Sequence, residues 1–208
     1  MERFRAFWTR VFTPVAELFL RWGISPDAVT LVGTIGVCAG ALVFFPRGQF
    51  FVGVLICTAF VFSDLIDGRM ARLSGTTSTW GAFLDSTLDR FGDAAIFGGL
   101  VLYYSGRGDS QPLAALALYC LVMGSVTSYA RARAESLGMQ AKGGIAERSD
   151  RLVSILVMTG LAGLIETVTG QDWPLVLIPV TLGLLALAST ITVVQRILLV
   201  RDQVKAAV

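Results

Sequence analysis

Apolar residues along this chain come in runs too long for the interior of a water-soluble domain. Six runs, over residues 28–45, 50–73, 79–104, 113–129, 152–168 and 173–200, approach or exceed the roughly 20 residues that a membrane-crossing helix needs. Most of the polar breaks between them are short. The predicted architecture is therefore an all-α integral membrane protein, with six transmembrane helices in one bundle spanning 23–208. Residues 1–22 follow a different rhythm. Phe4, Phe7, Trp8, Val11, Phe12, Val15, Leu18, Phe19 and Trp22 recur at three-and-four spacing, with Arg3, Arg5, Arg10 and Glu17 between them. That two-faced pattern predicts an amphipathic helix lying along the bilayer surface; a cytosolic helix packed under the bundle would read alike. Pro14 predicts a bend. The interleaved arginines interrupt the apolar centre that a signal peptide requires.

Composition supports this picture: 54% of residues are hydrophobic and 15% charged, with a mean hydropathy of +0.70, outside the range of a wetted globular domain. The basic residues then orient the chain. If both termini are cytoplasmic, nearly all Lys and Arg fall on that side and only Arg47 and Arg107 on the other, as retention of basic loops in the cytoplasm demands. The expectation is a multi-pass cell-membrane protein with termini and polar site facing the cytoplasm, surrounded by membrane lipid; no nucleic-acid partner is expected. Cys38, Cys57 and Cys120 all lie within apolar runs at no metal-ligand spacing, so packing accounts for them. The chain has no histidine, which removes serine–histidine hydrolysis and the usual zinc sites.

Against this background the stretch SDLIDGRMARLSGTTSTWGAFLDSTLDR, residues 63–90, stands out. A carboxylate at membrane depth costs upwards of about 2.5 kcal/mol and is tolerated where it faces a cavity or a partner. Asp64 and Asp67 are three apart, Asp85 and Asp89 four apart, so each pair shares a helix face. A turn near Gly75 and Thr76 would fold the two helices into a hairpin and bring both pairs to a similar depth, ~13–20 Å from the turn at ~1.5 Å per residue. Four converging carboxylates need counter-charge, and their all-oxygen character suits Mg²⁺ first and Mn²⁺ second, with room for two ions. Gly68 and Gly81 would let a ligand approach the backbone, and Arg72 could meet phosphate oxygens. Two other readings fit the aspartates: neutralising arginines in a polar helix interface, or lining a divalent-cation channel or transporter. Asp93 either extends the site or pairs with an arginine.

The pattern Asp64-x2-Asp67-Gly68-x2-Ala71-Arg72-x8-Gly81-x3-Asp85-x3-Asp89 resembles the complete signature of the CDP-alcohol phosphotransferase family. The resemblance implies an enzyme that transfers a group from a CDP-linked donor, here CDP-diacylglycerol, to an acceptor alcohol with release of CMP. It implies Asp64, Asp67, Asp85 and Asp89 as metal ligands, Asp89 also as general base, and Gly68, Ala71, Arg72, Ser78 and Gly81 as the nucleotide pocket. The stretch SPDAVT is similar to a second nucleotide-contacting segment, implicating Asp27, Ala28, Val29 and Thr30; read without the family it is a helix start with proline in the first turn.

The acceptor is read from SYARARAESLGMQAKGGIAERSDRL, residues 128–152, and from Arg196 in an apolar setting. Clustered arginines suit a phosphate through forked, charge-assisted hydrogen bonds, so a phosphorylated polyol is expected. The segment resembles the actinobacterial branch of the family, the phosphatidylinositol phosphate synthases, which implies inositol phosphate as acceptor, bound by Ser128, Arg131, Arg133, Arg151 and Arg196. Arg131 stands where relatives often have lysine. Glycerol 3-phosphate, giving phosphatidylglycerol phosphate, is the alternative acceptor. The family resemblance also suggests a homodimer. Gly36 with Gly40, and Gly98 with Gly99, could serve packing between chains or within the bundle.

Overall fold

The computed structural model describes the backbone of residues 2–206 and the side chains of residues 12–206 other than Asp64 and Leu65. Among the described residues every regular element is helical: α1 (Glu2–Arg21), α2 (Pro26–Phe44), α3 (Phe50–Val61), α4 (Ser63–Ser74), α5 (Thr79–Ser105), α6 (Gln111–Ser136), α7 (Arg148–Thr169) and α8 (Leu177–Ala206), with 3₁₀ turns at Phe45–Arg47 and Trp173–Val176. Each boundary has a local cause. Ser25 caps α2 by accepting from the Ala28 amide at 3.2 Å, and Pro26 occupies its first turn. Gly75, with φ 68°, ends α4 in the left-handed conformation that glycine adopts without penalty. Ser78 caps α5 by accepting from the Gly81 amide at 3.0 Å. Glu147 and Asp150 form a reciprocal capping box at the start of α7.

Among the described residues, five stretches are long and apolar enough to cross a membrane: Pro26–Arg47, Phe50–Ser74, Gln111–Ser136, Arg148–Thr169 and Trp173–Ala206. The chain is thus a multi-pass membrane protein. Helix α5 matches the third predicted run, yet Asp85, Asp89, Arg90 and Asp93 lower its apolar character. Its 27 residues reach about 40 Å, and the charges are confined to one half, leaving 94–104 wholly uncharged. The second predicted run is split at Phe62, where the helical hydrogen-bond ladder is interrupted two residues before the first aspartate.

The helices pack closely because small residues sit where they cross. A Cβ on Gly36 would lie 2.2 Å from the ring of Phe60, and one on Gly99 2.8 Å from the Ala41 carbonyl oxygen, so α2 is seated against α3 and α5 through glycines. Gly36, Gly40 and Gly99 therefore serve packing within the bundle, whereas nothing approaches a Cβ built on Gly98. The main core gathers Phe45, Phe50, Ile96, Leu100, Ile155, Ile178 and Leu182, each almost fully buried. Cys57 and Cys120 are buried there as packing residues and Cys38 lies at its margin.

Helix α1 forms a separate contact. Ala16 is fully buried with Val29 of α2 and Met70 of α4, and Arg69 donates to Thr13 Oγ1 at 3.1 Å. Leu18 and Trp22 are exposed. Pro14 lies inside α1 without ending it. Of the predicted apolar stripe, Phe4, Phe7, Trp8 and Val11 fall outside the described side chains.

Candidate active site

The hairpin of α4 and α5 opens on a cleft of about 400 Å³. Its walls are the start of α2 (Pro26, Asp27, Thr30), one face of α4 (Asp67, Gly68, Ala71, Arg72), the turn (Thr76, Thr77, Ser78) and the first turns of α5 (Gly81, Ala82, Asp85). Asp67 is only 6% exposed. It accepts from Thr30 Oγ1 at 2.6 Å, a bond that ties α2 to α4 and fixes the carboxylate. Asp27 accepts from Trp80 Nε1 at 3.0 Å and so joins α2 to α5. Arg72 Nε donates to the Gly68 carbonyl at 3.0 Å, which leaves the outer guanidinium nitrogens for a ligand.

The two cleft glycines differ from the packing glycines. A Cβ on Gly68 or Gly81 would find no protein atom nearer than 3.7 and 3.5 Å respectively. The fold does not need glycine at either place; the open cleft in front of them does. Of the residues implicated in nucleotide binding, Asp27, Thr30, Gly68, Ala71, Arg72, Ser78 and Gly81 all line this cleft. Ala28 and Val29 do not: the Ala28 amide is spent on the Ser25 cap, and Val29 packs against Ala16 and Met70.

One turn beyond Asp85, α5 turns Ser86, Asp89 and Arg90 toward a second cavity of about 450 Å³. Thr127, Ser128, Arg131 and Glu135 of α6, Glu147, Arg148 and Arg151 at the start of α7, and Arg196 of α8 also line it. Guanidinium groups outnumber carboxylates there by five to three. Arg148 bridges Asp89 at 2.9 Å and Asp93 at 3.0 Å. Arg90 lies 3.7 Å from Asp89 and 3.6 Å from Asp93, and it donates to Ser128 Oγ. Asp93 is thus a buried partner of two arginines, not a lining residue of either cavity.

Arg151 and Arg196 are 2% and 4% exposed. Arg151 donates to the carbonyls of Ala146 and Gly124, at 3.3 and 3.4 Å; Arg196 donates to those of Gly143 and Thr127, at 3.1 and 2.5 Å. Both arginines are positioned by neutral acceptors, so their charge remains available to an anion. Arg131 pairs with Glu135 at 3.0 Å. Arg133, two residues further round α6, is exposed, donates to Ser136 Oγ at 3.4 Å and does not line the cavity. Five positive groups beside Asp89 would repel a permeating cation, which weighs against a cation pathway.

Sequence reasoning passed over Arg90 and took Arg148 only as part of the basic cluster, not among the acceptor ligands. A signal existed: Arg148 and Arg151 are three apart at a helix start and share a face, and Arg90 adjoins Asp89. The glutamates of this cavity carried no comparable signal.

For a metal, Asp67 and Asp85 present carboxylate oxygens to one cleft, and Asp89 lies a turn away. This donor set fits a hard divalent cation. Among the described residues no three acidic, histidine or cysteine side chains gather closely enough to hold an ion, and the side chain of Asp64, on α4 one turn before Asp67, lies outside them.

The sequence model of the CDP-alcohol phosphatidyltransferase family matches residues 23–201, and the chain belongs to that family. Among individual proteins, it is 54% identical over 200 residues to the phosphatidylinositol phosphate synthase of Streptomyces avermitilis, covering 96% of this chain and 81% of that one. It is 50% identical to the synthase of the same name from Cutibacterium acnes, over 97% of both chains. The crystal structure of the Mycobacterium tuberculosis phosphatidylinositol phosphate synthase with CDP-DAG bound superimposes with a TM-score of 0.85 at 41% identity, covering 92% of this chain and 94% of that one. The same enzyme in complex with manganese and citrate gives 0.80 at 41% identity, covering 91% and 88%.

Proposed function

We propose that the protein transfers the phosphatidyl group of CDP-diacylglycerol to inositol phosphate, giving phosphatidylinositol phosphate and CMP. The observation that carries this reading is the meeting of two unlike cavities on one helix: Asp85 lines the glycine-floored cleft and Asp89, one turn on, lines the arginine-rich one. A donor nucleotide in the first and a phosphorylated acceptor in the second would face each other across that turn. The names of the relatives agree with it, as does the donor bound to the M. tuberculosis enzyme.

In this reading the Arg72 guanidinium and the Ser78 and Gly81 region hold the pyrophosphate side of the donor, while Thr30 fixes Asp67. Arg131, Arg151 and Arg196, with Arg148 and Arg90 beside them, receive the acceptor's phosphate; Ser128 meets a hydroxyl. Arg133 belongs to the acceptor's approach rather than its seat. An acceptor hydroxyl oxygen attacks the phosphorus that bears the lipid, a new P–O bond forms, and the P–O bond to CMP breaks with its electron pair on CMP. The hydroxyl proton passes to Asp89, the group at the boundary between the cavities. Asp64, Asp67, Asp85 and Asp89 would hold one or two Mg²⁺ or Mn²⁺ ions, which when bound stabilise negative charge on the transferring phosphoryl group; the manganese complex of the relative favours such an ion.

The setting follows the same reading. Residues 23–208 form the catalytic membrane domain, with α5 as the sixth crossing segment and its charged half toward the cytoplasm. Residues 1–22 lie at the cytoplasmic interface against α4, both termini are cytoplasmic, and the protein works as a homodimer. The acyl chains stay in the bilayer while the headgroup enters the cleft. The test is purified protein with CDP-diacylglycerol, Mg²⁺ and separate acceptors: CMP should appear with inositol phosphate and vanish with a chelator. Release with glycerol 3-phosphate alone would replace the substrate, and release with none would remove the activity.

A further inference from the structure

The connection between α6 and α7, residues 137–147, is strapped to α8 rather than slack. Ala141 and Ala146 on it are buried, at 0% and 3% exposure. Gln203 exchanges two hydrogen bonds with the Gln140 backbone, at 2.9 and 2.6 Å. The Ala146 amide donates to Thr192 Oγ1 at 3.1 Å, and Thr192, itself fully buried, gives its own hydrogen to the Ala188 carbonyl at 2.8 Å. Gly144, at φ +128°, passes so close that a Cβ would stand 2.3 Å from the Thr192 methyl. One helical turn further along the same face of α8, Arg196 Nε donates to the Gly143 carbonyl at 3.1 Å.

Thr192 and Arg196 therefore grip neighbouring residues of one strap, one through a hydroxyl and the other through a guanidinium. A hydroxyl has a single hydrogen and two lone-pair sites. With the hydrogen committed to its own helix, Thr192 is oriented to accept from Ala146. The Gly143 carbonyl in turn holds one edge of the Arg196 guanidinium, and the Thr127 carbonyl holds another. An arginine side chain is otherwise rich in rotamers, and ordering it before a ligand arrives lowers the entropic cost of binding.

We propose that Thr192 is a positioning residue for the acceptor site: its hydroxyl anchors the 139–147 strap so that the Gly143 carbonyl presents Arg196 in the orientation that receives the acceptor's phosphate. This rests on the acceptor cavity being a phosphate site. Thr192 touches no substrate; it acts through the strap and Arg196. Thr192→Val keeps the branched shape against Gly144 but leaves the buried Ala146 amide without an acceptor, whereas Thr192→Ser keeps the acceptor and loses only a methyl.

The experiment measures KM for inositol phosphate and for CDP-diacylglycerol, with peptide-level hydrogen exchange over 139–147, in wild type, Thr192→Val and Thr192→Ser. In Thr192→Val, KM for inositol phosphate should rise roughly tenfold, the scale of one hydrogen bond to a charged group. KM for CDP-diacylglycerol should stay within about twofold, and strap exchange should quicken; Thr192→Ser should return all three toward wild type. Parallel rises in both KM values, unchanged behaviour of Thr192→Val, or a Thr192→Ser as impaired as Thr192→Val would overturn the proposal. Should Thr192→Val not be recovered folded, Gln203→Ala cuts the strap's other anchor at a half-buried position. It should raise KM for inositol phosphate about threefold, short of a full hydrogen bond, and no change would overturn the proposal. A wild-type protein whose CMP release ignores inositol phosphate overturns the acceptor reading instead, and the exchange data then still judge the strap.

Discussion

The two cavities that meet on α5 are built in opposite ways. The donor cleft comes almost entirely from one hairpin, residues 67–85, closed by the first two turns of α2. The acceptor cavity collects side chains from four helices, and the Arg196 guanidinium reaches the carbonyl of Thr127 across 69 residues of sequence. The donor cleft has an open glycine floor and a single arginine. The acceptor cavity is crowded with guanidinium groups held by backbone carbonyls, by Glu135, or by Asp89 and Asp93. A flexible nucleotide lying along backbone needs clearance, and a compact phosphorylated polyol needs concentrated, pre-oriented charge.

The widest break in this comparison comes at its boundary. Asp89→Asn preserves size and the hydrogen bonds to Arg148 that an amide oxygen can accept, yet it cannot take up a proton. Turnover should fall by roughly 10²–10⁴-fold, the range for loss of a general base. The variant should remain folded, judged by its elution from size exclusion in detergent. Activity within about tenfold of wild type would place the base elsewhere.

Next in size is a change that separates the cavities by ligand. Arg151→Lys keeps the charge but loses the planar fork, and an ammonium cannot reach both the Ala146 and Gly124 carbonyls while still presenting a face to phosphate. KM for inositol phosphate should rise roughly tenfold or more, with KM for CDP-diacylglycerol nearly unchanged. Gly81→Val is the mirror experiment. A Cβ fits at this position, with Ser78 Oγ at 3.5 Å and Asp27 Oδ1 at 4.0 Å as its nearest atoms, and the valine methyl groups would extend into the open cleft. Thermal stability should therefore hold while KM for CDP-diacylglycerol rises several-fold, about what intrusion of two methyl groups into a ligand's space costs. If both variants shift both constants alike, the cavities do not divide the substrates as argued.

How legible each region was in the sequence follows from the same construction. The paired aspartates, Gly68, Gly81 and the turn at Gly75 lie within one hairpin, where helical periodicity and turn chemistry translate directly into neighbourhood. The membrane-crossing runs were legible because lipid demands long uninterrupted apolar segments. The acceptor cavity was legible only as a surplus of arginines at the ends of helices, where retention of positive charge in the cytoplasm produces the same pattern. Separating the two causes needed the pairing of helices, which brought Arg148 against Asp89 and Asp93 and turned Arg133 outward. The break at Phe62 left no sequence mark, since Phe62 is an ordinary helix residue in an apolar run.

Arg133 gives the smallest and most discriminating prediction. It stands two residues from Arg131, about 200° round the helix, so only one of the two can face the cavity. Its side chain is exposed, with the Ser136 hydroxyl as partner. Removing it takes no buried charge away and leaves no buried group unpaired, and surface substitutions of this kind change stability by less than about 0.5 kcal/mol. Arg133→Ala should leave kcat and both KM values within about twofold at moderate ionic strength. Any residual effect should appear as a rise in KM for inositol phosphate that added salt erases, because a charge outside the seat acts only through the screened field that draws the anion in. A salt-independent rise of tenfold or so, the size expected for Arg151→Lys, would mean that α6 turns in the working enzyme to bring Arg133 inward, and that the acceptor cavity described here is one of two arrangements.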